Sequence, residues 1–287
     1  MHITLIQAPY ALGRADIEVA RGPIRIVEAG AAEALREAGH DVEVESVAAV
    51  EGDEGDYWNE IEGSFAVVRG VAGRVREAIE SGSFPVVLAG NCLNSVGVVA
   101  GASSDLGVVW FDSHGDFSTT EKSRSGFLDG MGLSILTGTG WEALRETVPG
   151  YRVVPEENVI LVGMRDAWDH ELERLEESGI AVVPPAEISA GLDARLAALR
   201  ERTAEVYLHL DLDVLDRSEG MVNIYATEGG PSAADVAAAI EAIGARFRIR
   251  AAAMTAYDPD ADPEGRVPPT AVRLLVQIAQ AAGNGGP

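Results

Sequence analysis

The chain has a single cysteine, Cys92, so no disulfide can form within it. It lacks any apolar run near the ~20 residues that a membrane-spanning helix needs. Its first residues, MHITLIQAPY, carry neither the positively charged start nor the small-residue cleavage site of a secretory signal, and they read as a first strand. A cytoplasmic protein without a membrane partner is expected. Basic residues are also scarce: 22 Lys and Arg stand against 46 Asp and Glu, giving a formal charge of −24 and a pI near 4.5. Phosphate backbones bind to basic faces, so nucleic acid is excluded as a partner. An acidic surface of this kind keeps a protein soluble, attracts cations and suits a metal site built from carboxylates. No internal repeat, low-complexity linker or charge block marks a domain boundary. The 287 residues therefore read as one domain with a frayed tail over 283–287.

What the chain does contain is enough apolar sequence, 47%, for a substantial core. It comes as short apolar runs alternating with helical periods. Strands are expected over 3–7, 41–47, 85–89, 108–111, 159–162, 180–183, 206–210 and 248–255. Helices are expected over 24–38, 61–81, 95–102, 132–137, 169–178, 194–203, 232–243 and 271–282, with Ser232 as an N-cap. An acidic loop over 48–58 and a polar loop over 117–130 complete the reading. Strands separated by helices predict an α/β fold, a three-layer sandwich whose mainly parallel eight-stranded sheet is covered on both faces. Ligands of such sheets bind beyond the carboxyl ends of the strands.

One stretch organises the chemistry: VVWFDSHGDFSTTEKSRSGFLD, residues 108–129. An apolar strand runs into Asp112, His114 and Asp116 at alternate positions, and in an extended chain alternate side chains point the same way. Two carboxylates and an imidazole gathered at the end of a buried strand are costly unless a cation holds them. Two more segments end strands with candidate ligands: LAGNC with Cys92, and LHLDLDVLDRSE with Asp211, Asp213 and Asp216. Taken singly, an Asp reads as a cap or loop residue, His114 as a satisfied buried histidine and Cys92 as a structural cysteine. The pairing of D-x-H-x-D with D-x-D, each at a strand end, is what argues for metal. Oxygen donors with one imidazole favour a hard to borderline ion such as Mn²⁺. So many carboxylates suit two ions ~3.5–4 Å apart, bridged by shared acids.

These segments resemble the arginase-like ureohydrolases, and the likeness runs almost end to end. LIQAPYALGR with Gly22-Pro23 resembles the family's N-terminal strand and glycine-proline segment. LAGNCLNSVG takes the place of its glycine-glycine-aspartate-histidine-serine motif, WFDSHGDF that of its aspartate-alanine-histidine-x-aspartate motif, and LHLDLDVLD that of its serine-x-aspartate-x-aspartate motif. The resemblance implies an αβα sandwich around a parallel eight-stranded sheet, a trimeric or hexameric homo-oligomer, and two Mn²⁺ per subunit. Asp112 and Asp211 would bridge both ions, Cys92 and Asp116 would complete one, and His114 and Asp213 the other. Water activated between the ions would attack the guanidinium carbon of a small-molecule substrate. Asp116 would accept its proton and pass it to the leaving amine.

Several positions depart from the family pattern. Cys92 stands where a metal-binding histidine is usual, which resembles a branch that includes an Nω-hydroxy-L-arginine amidinohydrolase, as does the phrase SGFLDGM. Asp129 in that phrase falls where arginases carry a histidine thought to shuttle protons, and reads either as a catalytic acid or base or as a turn residue. Ser118 and Ser125 match loop positions that bind the substrate α-carboxylate, and both hydroxyls can donate. Trp168 takes the place of an aspartate that binds the substrate amino group, and offers an apolar face instead. Ala256 takes the place of the glutamate that pairs with the guanidinium, with Asp258 nearby as a replacement if its loop shifts. An N-hydroxyguanidine is less basic and tolerates that loss better. The expected activity is thus hydrolysis of a non-peptide C–N bond in a guanidino or N-hydroxyguanidino compound. A formimidoyl or amide hydrolase, and a catalytically weak metal-binding relative, remain as alternatives.

Overall fold

The computed structural model describes residues 1–48, 57–102 and 105–284. Its strands are β1 (His2–Ala8), β2 (Asp41–Ser46), β3 (Phe84–Ala89), β4 (Gly107–Phe111), β5 (Val159–Val162), β6 (Ala181–Val183), β7 (Glu205–Asp211) and β8 (Arg248–Thr255). Its helices are α1 (Gly22–Glu28), α2 (Ala31–Glu37), α3 (Tyr57–Glu80), α4 (Ser95–Ala102), α5 (Gly132–Leu136), α6 (Glu142–Arg145), α7 (Asp169–Glu177), α8 (Ile188–Arg200), α9 (Ala233–Gly244) and α10 (Val267–Gly283). The strands form one sheet in the order β2-β1-β3-β8-β7-β4-β5-β6, and every neighbouring pair is parallel.

Period-two alternation divides the strands' apolar residues between two cores. In β4, Val109 and Phe111 enter one core, while Val108 and Trp110 enter the other. The first core is closed by Ile26 of α1, Leu35 of α2, Leu196 of α8, Ile240 of α9 and Leu275 of α10. The second is closed by Phe65 of α3, Val96 of α4, Leu133 of α5 and Leu175 of α7. The result is the three-layer sandwich expected, with helices on both faces. Among the described residues no helix is long and apolar enough to cross a membrane.

Two details of the packing position the site. Strands β3, β8, β7 and β4 are consecutive neighbours in the middle of the sheet, so their carboxyl ends converge. Helix α4 is buried along its whole length and lies backbone to backbone on α3. A Cβ at Gly97 would lie 2.4 Å from the Val68 carbonyl oxygen, and one at Gly101 would lie 2.5 Å from that of Ala72. These glycines let α4 sink against α3, which seats the short turn Cys92–Asn94 directly above the end of β3.

Four expectations are corrected. The helix expected over 24–38 is two helices, because Gly30 takes a left-handed conformation (φ 95°) that no helix continues through. The helix expected from 194 starts at Ile188, since Ile188, Leu192, Leu196 and Leu199 make one buried stripe. The last helix starts at Val267 rather than 271, with Pro in its first turn, where a missing N–H costs nothing. The loop expected over 117–130 is not uniformly polar and exposed: Phe117, Ser118 and Leu128 are buried, and Asp129 opens a 3₁₀ turn. The loop expected over 48–58 lies outside the described residues except at its ends, and α3 has already begun at Tyr57. Of the tail, Gly283 closes α10 and Asn284 caps it, while 285–287 lie outside the described residues.

Candidate metal centre

Asp112 follows β4, Asp211 ends β7, and Cys92 follows β3 by way of Gly90 and Asn91, so three of the four central strands deliver them to one place. The chain passes close at Gly90, where a Cβ would lie 2.2 Å from the Tyr10 carbonyl oxygen. Donor atoms of Cys92, Asp112, His209 and Asp211 all lie within 4.8 Å of one another. Those of Asp112, His114 and Asp213 do the same. Asp112 belongs to both groups. All of these residues are buried except His114, whose side chain is 27% exposed and forms the solvent side of the cluster.

Hydrogen bonds fix each carboxylate. Asp112 accepts from the His114 backbone N–H at 2.7 Å and from Trp110 Nε1 at 3.0 Å. Asp211 accepts from the Asp213 backbone N–H at 2.7 Å and from the Cys92 thiol at 2.9 Å. Asp213 accepts from the Ser113 hydroxyl at 2.8 Å and from Asn223 at 3.1 Å. His114 Nδ1 stands 3.3 Å from Asp112 and 3.4 Å from Asp213. Asp116 lies on the same loop in a left-handed conformation (φ 46°), and its Oδ2 is buried with no hydrogen-bond partner.

The electrostatics describe a site short of positive charge. Burial, then the charge of Asp213, raises the pKa of Asp112; burial, then Asp213 and Asp112, raises that of Asp211. Burial with Asp112 and Asp129 nearby does the same to Asp116, and burial with Asp211 pushes the Cys92 thiol up. Burial opposes the charged forms of His114 and Asp213 too, yet their pairing overrides it, holding His114 above and Asp213 below their usual ranges. Clustered buried acids and an orphaned carboxylate oxygen are what a divalent cation would satisfy. The two donor groups that share Asp112 therefore fit divalent metal, and the partnerless oxygen of Asp116 belongs to the loop that follows them.

The other residues singled out from the sequence are scattered. Asp216 caps the turn Arg217–Glu219 and accepts from Ser218 and Gly229, so it is a loop residue. Asp129 accepts from Asn91 Nδ2 at 2.7 Å and from the Leu93 N–H at 3.0 Å, holding the loop that carries Cys92; burial pushes its pKa up to about 6. The Ser118 hydroxyl donates to Glu171 at 3.0 Å. Ser125 is exposed and accepts from the Phe127 N–H. Trp168 is 61% exposed at the start of α7. Asp258 is drawn into its own turn, accepting from the Asp260 N–H, with Arg21 3.9 Å away. Ala256 sits beside the centre with a left-handed backbone (φ 68°), its carbonyl held by Asn223.

Sequence reasoning missed four participants. His209 precedes Asp211 by two residues, so the run is H-x-D-x-D rather than D-x-D, and the alternation that found Asp112 and His114 applies equally to it. Glu171 is buried and clamps the Asp116 loop to α7, accepting from the Phe117 N–H, the Ser118 hydroxyl and the Trp168 N–H. The Arg165 guanidinium donates to the carbonyls of Gly163, Asp213, Val214, Leu215, Thr227 and Glu228, pinning the segment after β7. No local pattern marks it, since its partners come from distant segments. Tyr225, half exposed, stands edge-on to His114 with 6.4 Å between ring centroids, and lies beside Phe127, giving the open side an aromatic rim.

Comparison with known proteins gives this geometry a context. The profile of the Arginase family matches residues 1–280. The arginase of Bacillus caldovelox is 30% identical over 292 residues, spanning 95% of this chain and 96% of its own. The crystal structure of arginase from Bacillus cereus superposes with a TM-score of 0.87 at 30% identity, covering 97% of this chain and 98% of that one. Formimidoylglutamase from Bacillus subtilis shares the fold, with a TM-score of 0.77 at 16% identity over 100% of this chain and 88% of that one.

Proposed function

The chain belongs to the arginase family of hydrolases that act on C–N bonds in linear amidines, and on that premise we propose a hydrolase using two Mn²⁺ ions per subunit. Its substrate is a guanidino or N-hydroxyguanidino compound resembling N-hydroxyarginine. Water adds to the central carbon, the bond to the substituted nitrogen breaks, and urea or hydroxyurea leaves with an amine. The observation that carries this reading is the pair of donor groups sharing Asp112 at the carboxyl ends of β3, β7 and β4.

Two bound ions supply a lowered water pKa and stabilise negative charge on the reacting centre. The chain's own residues do the rest. The free Oδ2 of Asp116 is the acceptor for the nucleophile's proton and returns it to the leaving nitrogen. Asp129, with a pKa near 6, exchanges that proton onward and keeps the Cys92 loop in place. Ser125 and Trp168, both exposed, meet the distal end of the substrate in this reading, Trp168 through its indole ring. Ser118, engaged by Glu171, offers only its lone pairs.

The N-hydroxyguanidino preference is supported by Ala256 and Asp258. Ala256 stands in place of an acid, and the carboxylate of Asp258, two residues on, is tied into its own turn. A strongly basic guanidinium would lack its counter-ion there. The same observation favours a second reading, cleavage of a formimidoyl or amide C–N bond. Assembly as a homotrimer or homohexamer in the cytoplasm accompanies the proposal.

The test is metal analysis combined with a substrate panel scored for urea, hydroxyurea, ammonia and formamide. Two ions per chain with urea-type products are expected. Turnover unchanged by a chelator would overturn the metal reading, and formamide or ammonia as the sole product would select the second reading.

A further inference from the structure

We propose that His209 is itself a metal ligand, donating Nε2 to the buried ion alongside Cys92, Asp112 and Asp211. This rests on the metal reading above and extends it to a residue outside the D-x-H-x-D and D-x-D motifs. His209 lies on β7 opposite Trp110 of β4, two residues before Asp211, so both side chains leave the same face of the sheet. Its ring is fully buried and stacked on Trp110 at 3.7 Å between centroids.

The two ring nitrogens are treated differently. Nδ1 has two partners, the Ser95 hydroxyl at 2.8 Å and the Tyr207 hydroxyl at 3.1 Å. Tyr207 also donates to Ser95 at 2.7 Å, which leaves the Ser95 oxygen able to accept the Nδ1 proton. Nε2 is buried without any hydrogen-bond partner. A ring nitrogen of this residue is within 4.8 Å of the donor atoms of Cys92, Asp112 and Asp211. An imidazole whose Nδ1–H is held by a hydroxyl pair, and whose other nitrogen is buried without a partner beside a cluster of acidic donors, is arranged as metal-ligating histidines are.

The consequence is that the two metal positions differ. The buried one gains sulfur and nitrogen donors, while the open one has His114 and carboxylates. Borderline ions such as Co²⁺ and Zn²⁺ therefore fill the buried position first.

The test uses the metal-free full-length chain titrated with Co²⁺, followed by the thiolate-to-cobalt absorption. In wild type the first equivalent brings up that band. In His209→Asn the amide replaces Nδ1 and keeps the contact with Ser95 but has nothing at Nε2. Its Co²⁺ affinity falls on the order of 100-fold, the upper end of what losing a supporting partner costs. In His209→Gln the amide oxygen reaches towards the Nε2 position and part of the affinity returns. Equal affinity and spectrum in wild type and His209→Asn would overturn the assignment of His209 while leaving the site reading intact. A wild type that binds no Co²⁺ would overturn that reading and the assignment together. X-ray absorption of wild type with one equivalent of Zn²⁺ decides the matter even if the variants fail to fold. Sulfur and imidazole scattering from the same ion supports the proposal; sulfur without imidazole, or no sulfur, overturns it.

Discussion

The thiol of Cys92 donates a hydrogen bond to Asp211 at 2.9 Å, linking the turn after β3 to the end of β7 across the intervening β8. The Thr255 hydroxyl, at the end of β8, is 3.2 Å from the same sulfur. A thiol held this way, buried and facing carboxylates, resists ionisation, and the thiolate is the reactive form. A disulfide reagent at mildly alkaline pH is expected to leave the folded protein unmodified and to titrate one thiol per chain after unfolding. Rapid labelling of the folded chain would contradict this burial.

The metal-free protein should lose stability as pH rises. Asp112, Asp116, Asp129 and Asp211 have pKa values raised by burial and, next, by their neighbours' charge. A folded-state pKa above the unfolded value of 3.8 means that the folded chain holds its protons longer. The stability these groups contribute is complete below that value and is lost as pH climbs through the raised ones, for Asp129 at about 6. Asp213, depressed by His114, acts oppositely and loses its contribution only in stronger acid. The melting temperature of chelator-treated protein should therefore fall as pH rises above 3.8 and through about 6, while the gain on adding metal grows over the same range. A flat or rising profile without metal would refute the direction.

Glu171 governs the Asp116 loop without reaching the donor cluster. Glu171→Gln keeps the shape but leaves one acceptor oxygen where three donors converge on two. Hydrogen bonds to charged groups contribute about 1.5–3 kcal/mol each, so a loss of about 2 kcal/mol in unfolding free energy is expected. Denaturant titration measures it, with a matching fall in activity as Asp116 loses its support.

Two aspartates that the sequence offers alike as ligands should respond differently. Asp112→Asn removes the donor common to both groups and should lower activity by more than roughly 100-fold, with weaker binding of both ions. Asp216→Ala removes only a cap and should cost about 1 kcal/mol of stability, leaving metal content unchanged. Metal analysis of the two variants distinguishes them, and equal metal loss in both would place Asp216 at the centre after all.

Much of this protein is legible in its order of residues. Eight apolar runs separated by helical periods already imply a parallel sheet covered on both faces, because a strand buried on both sides reads as continuous apolar sequence. Asp112, His114, Asp211 and Asp213 announce themselves because they directly follow or end apolar strands, although a bend at His114 and a 3₁₀ turn at Asp213, rather than strand alternation, set the last two in place. Nothing local predicts which strands are neighbours. The order β3-β8-β7-β4 brings Cys92 beside Asp211, residues 119 positions apart, and only the sheet makes them touch. The same holds for Glu171 reaching Ser118 from α7, and for Arg165 gathering carbonyls from two later segments. His209 stands between the two cases. Its place in the alternation was visible beforehand, but a buried histidine is ordinarily satisfied. Only the packed structure, with Ser95 and Tyr207 at one nitrogen and no partner at the other, separates an orphaned donor from a contented core residue. Local periodicity determines which way a side chain points; long-range packing decides what it meets.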